Sequence, residues 1–407
     1  MNIIFIDNRF PGQFRLPAEI SGKDKDNKII FITSANSKDD KGIPGVEKLI
    51  FSETPPEGLK DSSLPEYWPA LAVAGVLAGL KKNNYAPDLI IGHSGSGALV
   101  YVKDVFPDTP FLGFFEWYHS PDHIQDKFNA AAGPDLRLRM DLRNRNLPVL
   151  GDLCACDHGV CPTAWQKTQF PKEFHEKLSV VHPGIDTHSF QPLKNQRFKT
   201  NTLDLSGVGQ LITYTANTLA PYWGFWQFME ALPAVLEQKP EAHIVIVGSD
   251  RVSTEDTSSG KKAYKSVILE KIRLDPERVH FIDALTYEAY KRLLQASAVH
   301  VYLDSPLMLS TTLLEAMSCE CLVIAPDTPP VREVITDGSN AIIADFSAPD
   351  KISQKILACL DYPSFMKAVK QKARQTVVER YAIEKTLPQT LDIIKKLARG
   401  KLLKQFG

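Results

Sequence analysis

Short apolar runs alternate with longer amphipathic segments along most of the chain. Residues 2–6 form an apolar run that stops at Asp7-Asn8-Arg9-Phe10-Pro11-Gly12, and a helix is expected from Gln13. Residues 28–33 read as a second strand. After a polar, proline-rich stretch, 67–82 has helical character, 88–92 reads as a strand, and His93-Ser94-Gly95-Ser96-Gly97 opens a helix. A further strand is expected at 110–116. The polar segment 191–204 interrupts this rhythm, which then restarts. Strands are expected at 211–216, 243–247, 279–282, 299–303 and 321–325, and helices at 225–238, 287–296 and 310–317. Apolar runs of this length between amphipathic helices imply parallel βαβ units. From 381 the pattern is helical, with Leu387, Leu391, Ile394 and Leu397 at apolar positions.

The expected organisation is two Rossmann-like α/β domains, 1–190 and 206–380, followed by a helix, 381–407, that packs back on the first domain. A length of 407 residues agrees, since a single core seldom serves so long a chain. The formal net charge of -1 speaks against nucleic acid as a partner. No stretch approaches the roughly 18 apolar residues of a spanning helix, and no basic region precedes the first apolar run. Six cysteines are too sparse for a disulfide scaffold, so a reducing cytoplasm is expected. Cys154, Cys156, His158 and Cys161 cluster, but not at zinc-finger spacing. The run 156–161 also reads as a buried strand, and no metal site is assigned. The basic tail, Lys395, Lys396, Arg399, Lys401 and Lys404, is read either as a solvated face or as weak peripheral attraction to an anionic inner-membrane surface.

In open parallel sheets, ligands bind beyond the carboxyl ends of the strands. Four loops at such ends carry suitable residues. Gly12 permits close backbone approach just before a helix, or serves a plain turn. His93 to Gly97 offers hydroxyls and backbone N–H groups without a Walker pattern. Glu116-Trp117-Tyr118-His119 combines an acid, aromatics and a histidine suited to sugar hydroxyls. Each histidine has a structural reading as well as a catalytic one. Asp304 to Met317 ends a strand and starts a helix near Ser310, Thr311 and Thr312, a cradle for a diphosphate. Glu315 follows one turn later, placed to grip a ribose diol.

The segment HVYLDSPLMLSTTLLEAMSCECLVIAPDTPPVREVITDG resembles the nucleotide-binding segment of glycosyltransferase family 4, the retaining GT-B enzymes. NRFPGQF, IIGHSGSG, CPTAWQKTQFP, VVHPGIDTHSF, LAPYWGFWQFMEALPAVLEQKPEAHIVIVGSD and RVHFIDALTYEAYKRLLQASAVHVYL resemble one bacterial branch of it, in order. The resemblance implies a nucleotide-sugar donor, bound as a substrate with no cofactor, and a glycan, lipid-linked or protein acceptor. It implies two domains facing across a cleft. By position, Glu315 matches the ribose-binding glutamate, Ser310, Thr311 and Thr312 the diphosphate loop, and Asp283, Ala284 and Leu285 the base loop. Gly12 and His93 match first-domain loops facing the donor phosphate and transferred sugar. Gly248 ends a strand of the same donor-binding domain. Glu116 and His119 join His93 as candidate catalytic residues. Asn217 and Trp223 stand where many members carry a cation pair, Met308 where many carry a second glutamate, and Gly95 to Ala98 where the branch often reads Gly-Trp-Gly-Glu. Arg251, Lys261, Lys262 and Arg332 are the candidate replacements for the cations. These departures leave open a catalytically eroded protein that binds or partners a true transferase.

Overall fold

The computed structural model describes residues 1–35, 42–52, 68–120, 136–219, 224–250, 264–303 and 308–405. They form two compact units. One comprises the described residues up to Pro183 with the chain from Glu384 on, and the other spans Gly184–Ile383.

In the first unit, Asn2–Ile6 (β1) leads through Arg15–Lys23 (α1) to Lys28–Ser34 (β2) and Val46–Phe51 (β3). Trp68–Lys82 (α2) precedes Leu89–His93 (β4), Val102–Val105 (α3) and Phe111–Phe114 (β5). Leu136–Ala155 (α4), His158–Cys161 (β6), Ala164–Gln169 (α5) and Leu178–Val180 (β7) complete it. The seven strands are parallel in the order β3-β2-β1-β4-β5-β6-β7. Ile3, Ile4, Phe5 and Ile6 are all fully buried, as expected of a central strand covered on both faces. Their alternation divides the core. Ile4 and Ile6 pack with Ile30, Ile90 and Leu153, whereas Ile3 and Phe5 pack with Phe14, Phe31 and Ile91.

The second unit contains Gln210–Thr218 (β8), Phe225–Gln238 (α6), Ala242–Ser249 (β9), Tyr264–Lys271 (α7) and Val279–Ile282 (β10). It continues with Tyr287–Ala296 (α8), Val299–Val301 (β11), Thr311–Ser318 (α9), Leu322–Pro326 (β12) and Pro329–Arg332 (α10). Ile342–Ala344 (β13), Pro349–Asp361 (α11) and Pro363–Arg380 (α12) close it. Its six parallel strands run β10-β9-β8-β11-β12-β13. The final helix, Ile383–Gln405 (α13), lays Ile394 and Ala398 into the Phe5 and Phe14 cluster of the first unit.

Three features differ from the sequence reading. The first unit ends at Pro183 rather than near 190, because Ile185 and Phe190 are buried with Leu314 and Met317 and the Ile185 N–H donates to the Tyr381 carbonyl at 2.8 Å. The polar stretch 191–204 therefore lies within the second unit, anchored by buried Phe198 beside Leu211 and Val245. Second, Gly97 opens no helix. Gly95 and Gly97 adopt φ of 105° and 78°, and helix geometry begins only at Val102, for four residues. Third, β3, α4, α5, β7, α7, α10, β13, α11 and α12 are additional elements.

Ile394→Ala should lower the stability of the first unit by about 2–4 kcal/mol, since it removes a buried side chain from a packed aromatic cluster. Denaturant unfolding followed by first-unit tryptophan fluorescence reads this, and an unchanged midpoint would show that α13 adds nothing to that core.

Candidate active site

Strand order reverses between β1 and β4 in the first sheet and between β8 and β11 in the second. At such a reversal, the connections leaving the two strands cross to opposite faces and leave a crevice at the carboxyl ends. The loops after β1, β4 and β5 converge at the first of these. Asp7, Arg9, Gly12, Gln13, His93 and Glu116 line a pocket of about 180 Å³ there.

The pocket is charged and ordered by short contacts. Asp7 ends β1, is buried, and accepts from the Arg9 N–H at 2.9 Å. Gly12 has φ of 52°, and a Cβ there would lie 2.5 Å from Asp7 Oδ2, so both backbone and space require glycine. His93 Nε2 lies 3.4 Å from Glu116 Oε2. Burial opposes charge on both partners of this pair. The hydrogen bond and mutual attraction outweigh it, so the imidazole is held above its ordinary value and the Glu116 carboxyl below its own. At Asp7 burial prevails and the carboxyl is raised, although His93 and Arg9 pull it down.

A second layer holds these groups in place. Thr163 caps α5, and the Gln166 amide donates to the Glu116 carbonyl at 2.7 Å. Ser94 Oγ donates to Asp152 Oδ2 at 2.7 Å, and burial pushes the Asp152 carboxyl up to about 7. Asn146 bonds both the N–H and the carbonyl of His119, at 2.8 and 2.7 Å. His119 is thus positioned through its backbone, and it is not among the residues lining the pocket.

In the second unit, Ser310 caps α9 and accepts from the Thr312 N–H, while its own N–H meets the Tyr302 hydroxyl at 3.2 Å. Thr311 is exposed in the first turn. Glu315 is only 9% exposed, and its Oε2 accepts from the Tyr290 hydroxyl at 2.9 Å. Burial raises its carboxyl, against the pull of the Tyr290 and Tyr287 hydroxyls. Asn217 is exposed at the bulged end of β8. Gly248 lets that end approach β9, since a Cβ would meet Leu219 and the Ala216 carbonyl. Asp283 and Ala284 are exposed after β10, whereas Leu285 packs against the Val247 and Leu293 cluster.

Trp223, Arg251, Lys261, Lys262 and the run 304–307 lie outside the described residues. Arg332 is engaged by Asp327 at 2.7 and 3.0 Å. Among the described residues, the cysteine cluster does not converge on a metal. Cys154 is exposed, Cys156 and Cys161 are buried, and His158 bonds Ser179 at 2.9 Å. Asp7, Gln13, Asp152, Gln166, Tyr287 and Tyr290 are site residues that sequence reasoning missed. For Asp7, its place directly after an apolar strand was the available signal.

The sequence matches the family described as Glycosyl transferase family 4 group over residues 25–190, and Glycosyl transferases group 1 over 205–376. The chain belongs to the family 4 type of glycosyltransferases. It is 26% identical over 121 residues to alpha-maltose-1-phosphate synthase of Mycobacterium tuberculosis, a match covering 28% of this chain and 31% of that protein. An uncharacterized glycosyltransferase of Methanocaldococcus jannaschii is 22% identical over 120 residues, covering 29% of this chain and 31% of its own. These matches span less than a third of the curated relatives. The fold is that of the GT-B enzymes. Anabaena HepE in complex with UDP superposes with a TM-score of 0.70 at 18% identity, covering 97% of this chain and 100% of that one. Sucrose-phosphate synthase of Thermosynechococcus elongatus gives 0.72 at 14% identity, covering 98% and 100%.

The His93 imidazole should titrate above its ordinary value of 6.5 in the wild type and lower in Glu116→Gln, where burial and Arg9 are opposed by Asp7 alone. By linkage, the stability His93 draws from the pair is complete below that ordinary value and disappears as pH rises through its raised one. Proton NMR of the imidazole checks this, and the same midpoint in both proteins would show that Glu116 does not control His93.

Proposed function

We propose that this protein transfers a sugar from a nucleotide-sugar donor, most simply a UDP-sugar, to a glycan, lipid-linked or protein acceptor, with retention of anomeric configuration and without a metal. The observation that carries the reading is Glu315, a buried carboxylate one turn into a hydroxyl-capped helix at the second sheet's reversal point. A carboxylate there accepts from both hydroxyls of a ribose. The helix N-terminus beside it, with Ser310, Thr311 and Thr312, meets a diphosphate with oriented N–H groups and the positive end of the helix dipole. Asp283 and Ala284 lie exposed to meet the base. UDP and UDP-glucose complexes of Anabaena HepE, a protein of the same fold, support the choice of nucleotide.

In the first unit, His93 and Glu116 meet the transferred sugar. The imidazole donates to a sugar hydroxyl, and Glu116 and Asp7 accept from others. Arg9, exposed beside Gly12, brings positive charge to this pocket. The metal-free reading is supported by the position of the Asp24-Lys25-Asp26 run. Asp24 and Asp26 lie between α1 and β2, at the amino end of the strands, away from the ligand crevice. The protein acts in the cytoplasm, where nucleotide sugars are its substrates.

A thermal-shift screen against UDP-, GDP-, ADP- and dTDP-sugars tests the reading, since a ligand that binds only the folded state raises the midpoint. UDP-sugars should raise it. Glu315→Gln should weaken that binding about tenfold, consistent with loss of one charge-assisted hydrogen bond, and leave the unliganded midpoint near that of wild type. Equal affinity in both proteins would remove Glu315 from the site, and no shift with any sugar nucleotide would sink the donor assignment.

A further inference from the structure

The outer side of α4 is unlike the rest of the first unit's surface. The helix buries Leu142, Asn146, Val149, Asp152 and Leu153 toward the sheet. On the opposite side, at spacings of four, seven and seven, stand Leu136, Met140, Leu147 and Cys154. The first three are 73%, 57% and 49% exposed, and Cys154 is exposed too. At about 100° per residue these four fall within roughly 40° of arc, a narrow apolar stripe some 27 Å long. Arg137, Arg139 and Arg143 rise around it, all exposed, against one exposed acid on the helix, Asp141. None of these residues lines the active-site pocket.

We propose that this face of α4 docks on an anionic lipid surface. A stripe of large apolar side chains in water marks a face that something covers. The arginines narrow what covers it. The partner must offer apolar depth and dense negative charge together along a straight helix, which is what an interface of anionic headgroups over acyl chains provides. Long arginine stems let the guanidinium groups stay at headgroup level while the stripe sinks beneath them. A second copy of this chain, with 48 acidic and 47 basic residues in all, is close to neutral as a whole.

The surface is distinct from the basic tail. α4 belongs with Ile4 and Ile6 on one face of the first sheet, and α13 belongs with Ile3 and Phe5 on the other. In the tail, moreover, Lys396 is already paired with Asp392 at 2.7 Å. The proposal stands independently of the donor reading, because it concerns binding to lipid alone.

Co-sedimentation of the full chain with vesicles tests it, using phosphatidylcholine alone and phosphatidylcholine mixed with phosphatidylglycerol. Wild type should bind only the mixed vesicles, and less as salt is raised. The exposed-residue variant Leu136→Gln/Met140→Gln/Leu147→Gln should bind about tenfold more weakly with an unchanged thermal midpoint. Arg137→Gln/Arg143→Gln should also bind more weakly and respond less to salt. Lys395→Gln/Lys396→Gln/Arg399→Gln should bind as wild type does. The proposal is overturned if wild type ignores the mixed vesicles, if the α4 variants bind undiminished, or if only the tail variant loses binding. Self-association that the α4 variant abolishes, without vesicle binding, overturns it in favour of a protein partner.

Discussion

Parallel strands can be joined only by crossovers, and where strand order reverses the two crossovers must leave on opposite faces. No packed helix can then seal the gap between the loops that follow those strands. This chain has the constraint twice, between β1 and β4 and between β8 and β11. The chemistry of both units follows from it. Asp7 and His93 meet because they end the two strands flanking the first reversal. The exposed Asn217 stands at the end of one strand flanking the second, and the cap at Ser310 follows the other. The fully buried strands and the split core serve to hold those ends in fixed register.

Within the first pocket, charge is controlled by pairing more than by solvent. Glu116 holds the His93 imidazole above its ordinary value against burial, and His93 holds the Glu116 carboxyl below its own. Asp7 has weaker compensation and is raised. Three titratable side chains within one small pocket thus have their affinities for protons moved by burial and by one another, which is the usual mark of a functional site. The second unit works differently. The groups around its reversal point are hydroxyls, backbone N–H groups and one carboxylate, and Asn217 is neutral where the family resemblance places a cation. Oriented dipoles in a fixed framework stabilise a departing diphosphate without reorganisation, so a missing cation does not by itself end catalysis.

The α/β alternation and most central strands were legible because buried parallel strands are apolar throughout. β1, β4, β8 and β9 show this directly. Elements whose buried face contains polar groups were hidden. α4 packs with Asn146 and Asp152 turned inward and carries Pro148, so its apolar period is masked by its own structural hydrogen bonds. β3 is an edge strand with mixed burial in a polar context. The polar run 191–204 was misleading as a boundary because the two buried aromatics flanking or within it, Phe190 and Phe198, bind it to the second unit. Glu315 was legible from its helix position and from family resemblance. Its partners Tyr290 and Tyr287, and the clamp of Gln166 on Glu116, depend on contacts between elements that no local pattern encodes.

The central claim is glycosyl transfer with retention, supported by groups of this chain alone. It is tested most directly by proton NMR of the purified protein turning over an α-linked UDP-sugar with acceptor, in buffer containing EDTA. The account predicts a product whose anomeric proton keeps the donor's α coupling, formed at about 1 per second or faster. A β-configured product, a strict need for added divalent metal, or binding of the donor without any turnover would contradict it.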